Sequence, residues 1–80
     1  MEDHPRVAEL LAELAVVADR LDELEGARLR RREIWCELRV LDASIDHDRY
    51  GRVTFARIAS VSRRTTPQVI RDVNQMLRSR

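Results

Sequence analysis

VTFARIASVSRRTTPQVIRDVNQMLRSR, Val53 to Arg80, is the stretch whose reading decides the fold. Thr54 carries a hydroxyl that can cap a short helix running through Ser60, with Phe55 and Ile58 turned inward and the small Ala59 where a following helix crosses. A turn over Val61 to Thr65 comes next. Thr66 then offers a second N-cap hydroxyl, and Pro67 takes the first helical position, where its missing N–H costs nothing. Projected at ~100° per residue, the last helix divides cleanly. Val69, Ile70, Val73, Met76 and Leu77 share one arc and are expected in the core. Gln68, Arg71, Gln75 and Arg78 form the opposite stripe.

The same stretch carries the unbalanced charge. Residues 49–80 hold eight arginines against the single acid Asp72, a net of +7. Residues 28–48 are balanced, and residues 1–27 hold eight acids against Arg6 and Arg20, a net of −6. The overall +1 therefore conceals a dipolar chain whose basic end suits a polyanion. A set of solvated helix faces would carry the same charges, so the motif has to decide.

The first half reads as helix. Val7, Leu10, Leu14, Val17, Leu21 and Leu24 alternate spacings of three and four, with Leu11 and Ala18 widening the stripe. This is the a/d seam of a coiled coil. Pro5 fits the first turn, and Asp3 just ahead of it is the expected cap. Gly26 admits two readings. It could close the helix in a left-handed conformation and produce a hairpin, or sit inside one long helix at a cost of roughly 1 kcal/mol. No Pro, Asn or Ser follows it, which favours a continuous or slightly kinked helix from about Pro5 to Ala43. The seam resumes at Ile34, Leu38, Leu41 and Ile45, with Trp35 beside it, while Arg28 and Arg31 fall where the first register would place apolar residues. One such helix cannot bury its stripe alone, so a homodimer is expected.

Eighty residues allow one compact domain and a modest core. The lone Cys36 excludes an intrachain disulfide and favours a reducing cytoplasm. The acidic N-terminus lacks a signal-type apolar core, and the longest apolar run, Leu14 to Ala18, is far too short to span a membrane.

Asp46 to Arg57, DHDRYGRVTFAR, has Asp46, Asp48 and Gly51 at the first, third and sixth places of a calcium loop. Tyr50 and Arg57 stand at the fifth and twelfth, where oxygen ligands are required. An arginine in place of the bidentate carboxylate defeats the site, so these residues are read as a turn joining two helices. His4 and His47 have no partners at metal-ligand spacing, Gly26 and Gly51 form no phosphate loop, and no base stands beside Ser44, Ser60 or Ser62. Neither a cofactor nor an enzyme is expected.

Ile58, Ala59, the gap to Thr65 and Thr66, and Val69 resemble small bacterial and phage helix-turn-helix DNA-binding proteins. In that family the second helix carries an Ile-Ala pair and the recognition helix opens S/T-x-x-x-V. The exclusive use of arginine over lysine suits an actinobacterial, GC-rich source. One departure is the turn position usually held by glycine, which is Arg63, a left-handed residue costing roughly 1 kcal/mol. The link from Asp42 to Arg52 is also longer than usual.

The resemblance implies an all-α chain: a long coiled-coil-like dimerisation helix over residues 1–45, then a helix-turn-helix over residues 46–80. By the same resemblance, Thr66, Gln68, Arg71 and Gln75 would reach base edges of double-stranded DNA. Arg52, Arg57, Arg63, Arg64, Thr65 and Arg78 would hold phosphates. The function implied is that of a small transcriptional regulator or a phage or mobile-element accessory factor. The alternative is a coiled-coil adaptor for a protein partner, antitoxin-like or polymerase-binding, since the clearest periodicity lies in residues 7–24.

Overall fold

The computed structural model describes residues 2–19 and 25–79. Four helices occupy them: α1 Pro5–Asp19, α2 Glu25–Ser44, α3 Phe55–Ser62 and α4 Thr66–Arg78. The all-helical expectation holds. None of the described helices is long and apolar enough to cross a membrane.

The single N-terminal helix does not form. Spanning Pro5 to Ala43 unbroken it would be ~58 Å long, whereas the longest dimension is 38 Å. Instead α1 and α2 are separate and antiparallel: Arg6 reaches Glu37 at 2.8 Å, and Glu13 accepts from Arg30 Nη2 at 2.7 Å. Gly26 is not the terminator that the hairpin reading assigned it. It lies in the first turn of α2, and no glycine has positive φ. The change removes the reason for a second copy. Val7, Leu10 and Leu14 are fully buried inside this one chain, and Val17 packs at the edge of the same core. Their role as a dimer seam is thus corrected to that of an intramolecular one; Leu21 and Leu24 lie outside the described residues.

The α1 cap is also different. Asp3 pairs with Arg57, and His4 Nδ1 accepts from the Arg6 N–H at 3.1 Å. On α2, Ile34, Trp35 and Leu38 present the i, i+1, i+4 face to the core, with Leu41 and, just past the helix end, Ile45 packed at its edge. Contacts run α1–α2, α2–α4, α4–α3 and α3–α1, a ring of helices around Val7, Leu10, Trp35, Leu38, Ile58 and Val69.

The α2–α3 link is tied down by side chains of α2. Asp42 Oδ1 accepts from the Val53 N–H at 2.8 Å, and Arg39 Nη1 donates to the Val53 carbonyl at 2.8 Å. Asp46 Oδ1 accepts from the Asp48 N–H at 2.9 Å, so Asp46 serves the turn as expected. Gly51 donates its N–H to the Glu2 carbonyl at 3.0 Å, which brings the N-terminal segment to this loop. Val53, fully buried, anchors the chain just before α3 begins.

Candidate nucleic-acid interface

The turn between α3 and α4 is built from local chemistry. Thr54 caps α3 as expected, its hydroxyl accepting from the Arg57 N–H at 3.1 Å. At the other end the Arg64 N–H reaches the Ala59 carbonyl at 3.0 Å, and the Arg63 N–H reaches the Ser60 carbonyl at 3.3 Å. These paired bonds form a Schellman motif and satisfy carbonyls that the end of α3 leaves free. The motif demands a left-handed residue, and Arg63 supplies it at φ 57°, ψ 40°, the one positive-φ residue outside glycine among those described.

The cap of α4 falls one residue earlier than expected. Thr65, not Thr66, has the extended backbone of an N-cap and accepts from the Gln68 N–H at 3.4 Å, which places Thr66 and Pro67 in the first turn. Beneath the turn, Ser62 is buried. Its hydroxyl accepts from Trp35 Nε1 at 2.8 Å and donates to the Ile58 carbonyl at 2.7 Å, so α2 grips the last turn of α3.

α4 is rotated a little from its expected setting. Val69 and Val73 are buried and Met76 is half-buried, but Ile70 and Leu77 are exposed at 36% and 42%. They sit ~100° and ~80° round the helix from Val69, at the far edge of the apolar arc. In their place Asp72 turns inward and is 6% exposed. The rotation leaves Arg71, Gln75 and Arg78 on the free face, lining with Asn74 and Ser79 a shallow depression of about 510 Å³. Gln68 is half-buried at the edge of that face.

A second concavity, about 250 Å³, lies between the start of α2 and the first turns of α4. Arg28, Arg31, Arg32, Arg64 and Arg71 line it with Gln68 and Asp72. Sequence spacing gave no reason to expect the α2 arginines here. The one available signal was that Arg28 and Arg31 stood in positions an apolar seam would have filled. Arg31 is 4% exposed, and its guanidinium lies over the Trp35 ring at 4.6 Å. Burial pushes its pKa down, Arg64 adds to this, Asp72 opposes it, and Arg32 and Arg28 add further.

The expected phosphate contacts therefore separate into two groups. Arg64 converges with the α2 arginines, beside the expected base contact Arg71, and Arg63 and Thr65 are exposed in the same turn. Arg57 lies at the opposite end of α3, ~9 Å from the turn. Its Nη1 donates to Asp3 Oδ1 at 2.7 Å and its Nη2 to Asp3 Oδ2 at 2.5 Å. That pair holds the Asp3 carboxyl below the usual range, chiefly through the hydrogen bonds from Arg57. Arg57 thus serves to fasten the N-terminal segment, a correction to its expected part as an open phosphate contact. Arg52 is exposed near it, in the link before α3.

Comparison with known proteins adds no relative: no family model, no curated protein and no solved structure matches the chain.

Proposed function

We propose that the chain binds double-stranded DNA through α4, as a small transcriptional regulator or a phage or mobile-element accessory factor. One observation carries the reading: α4 buries Val69 and Val73 while leaving Arg71, Gln75 and Arg78 on its open face, directly after an arginine-bearing turn. Arg grips a guanine edge with two parallel hydrogen bonds, and Gln can do the same to adenine. A major groove about 12 Å wide admits one helix. Thr66 and Gln68 sit at the leading end, where a recognition helix meets the bases. Arg63, Arg64 and Thr65 flank that end and suit phosphate oxygens, as does Arg78 further along.

A gel-shift titration of the full chain against genomic duplex fragments at low salt tests the proposal. Retention that declines log-linearly with salt is expected. The absence of retention at micromolar protein would end this reading.

A protein-binding role is the second reading, supported by a different surface. Val40 is 53% and Leu77 42% exposed. Together with Arg39, Ala43, Phe55 and Val73 they border a concavity of about 430 Å³ on the flank of α4 away from Arg28 and Arg31. A second copy of the chain or a partner helix would find its apolar contact there, now that the α1 seam is filled from within. Pull-down from a nuclease-treated lysate separates the two, since a protein partner survives the treatment and a DNA-bridged one does not.

A further inference from the structure

Arg31 is the most demanding side chain in the molecule. It is 96% buried, and its Nε and Nη1 donors have no hydrogen-bond partner among the described residues. An arginine stays charged at any physiological pH. A buried, charged donor left unpaired costs several kcal/mol, so these donors call for an acceptor, and an anion would answer the charge as well as the hydrogen bonds. Asp72, the carboxylate in the concavity, does not fill that role. Its oxygens lie 4.0 Å from Arg32 Nε and 3.8 Å from Arg71 Nε, beyond hydrogen-bond range, and neither Arg31 donor bonds to it.

The concavity that Arg31 lines provides both room and charge. About 250 Å³ is several times the ~30 Å³ share of a water molecule. Five arginines and a single carboxylate line it, an excess of positive charge that suits an anion. Guanidinium forks match the oxygens of phosphate, and a tetrahedral anion can accept from several forks at once.

We propose that this concavity is a phosphate-binding pocket, with Arg31 at its floor and Arg28, Arg32 and Arg64 closing around the oxyanion. The source of the phosphate rests on the DNA-binding reading: it is a backbone phosphate at the rim of the groove that α4 enters. Gln68 and Arg71 belong to the pocket and to the leading part of α4 alike, so a phosphate seated there fixes the register of the helix on the duplex. The pocket then positions the protein without reading sequence.

Trp35 reports on the pocket directly. It is the chain's only tryptophan, and Arg31 stacks on it. Inorganic phosphate is titrated into the full chain at constant ionic strength, with chloride as the compensating anion and Trp35 fluorescence as the readout. A saturable change is expected in the wild type and none in Arg31→Met, which keeps an apolar stem over the ring. Because that variant alters a buried position, Arg28→Gln and Arg32→Gln on the exposed rim provide an independent check. Each is expected to weaken phosphate at least fivefold, while Arg49→Gln, which removes a charge in the α2–α3 link, titrates as wild type. A phosphate response equal to that of chloride, or rim variants that titrate as wild type, overturns the pocket.

A second arm replaces phosphate by duplex fragments. Arg32→Gln is expected to make the log–log salt slope shallower, by no more than the ~0.9 of one whole phosphate contact. Duplex binding with an unchanged slope and no phosphate response overturns the pocket and leaves the α4 reading standing. A phosphate response without duplex binding supports the pocket, assigns it to free phosphate, and overturns the DNA reading.

Discussion

Trp35 of α2 donates its indole N–H to the hydroxyl of Ser62 at the end of α3, at 2.8 Å and out of reach of solvent. That bond joins α2 to the end of α3 at the residue just before the left-handed Arg63. Ser62→Ala leaves the indole donor buried without a partner. A loss of roughly 1–3 kcal/mol is expected, read by urea denaturation of the variant beside the wild type. An unchanged midpoint would show that the bond does not hold the turn.

The α1 stripe is filled from within the chain. Leu14→Ala should cost about 2–5 kcal/mol, and the melting temperature of both proteins should be independent of protein concentration. An intermolecular seam would instead make melting rise with concentration. Scanning calorimetry over a hundredfold dilution decides the matter.

Two backbone changes should stabilise the fold for opposite reasons. Arg63→Gly relieves the left-handed strain, worth about 1–2 kcal/mol, against a loss of roughly 0.5–1 kcal/mol from the added freedom of the unfolded chain. Gly26→Ala places a Cβ where nothing lies within 4 Å, in a helix that favours Ala by up to ~1 kcal/mol. Both melting temperatures should rise. The Arg63 variant should also bind duplex less tightly, having lost a cation from the turn.

Asp3 makes stability depend on acid. Its hydrogen bonds from Arg57 depress its folded pKa below the unfolded value, so the pair stabilises the fold above about pH 4. The contribution fades as pH falls through the folded pKa. Asp3→Asn should therefore lower the melting temperature at pH 7 by more than it does near pH 2. Equal losses at both pH values would show that the ion pair contributes nothing.

Much of the second half was legible because its signals are local. Thr54 caps α3, Arg63 turns left-handed, and a threonine with Pro67 opens α4, each within a few residues of its cause, though the capping threonine is Thr65 and not the expected Thr66. The first half misled for a physical reason. A heptad stripe states that a helix must be covered, and it reads the same whether the cover is a second copy or the next helix of one chain. The residues around Gly26 are all helix-compatible, so the separation of α1 from α2 carried no breaker. Arg28 and Arg31 meet Arg64 and Arg71 only through the packing of α2 on α4, across more than thirty residues of sequence. The inward turn of Asp72 and the exposure of Ile70 and Leu77 follow from the same packing. A helical wheel defines an apolar arc but not which part of it the neighbouring helices cover.

Central to the account is the polar face of α4, and fluorescence anisotropy of a labelled duplex pool, titrated with the full chain from about 50 to 200 mM salt, tests it most directly. The wild type should bind with an affinity that falls log-linearly with salt. Arg71→Ala combined with Gln68→Ala should abolish the binding without unfolding the helices, as followed by circular dichroism. Binding that survives the double substitution with its affinity and salt slope unchanged, or its absence from the wild type at the lowest salt, would contradict the account.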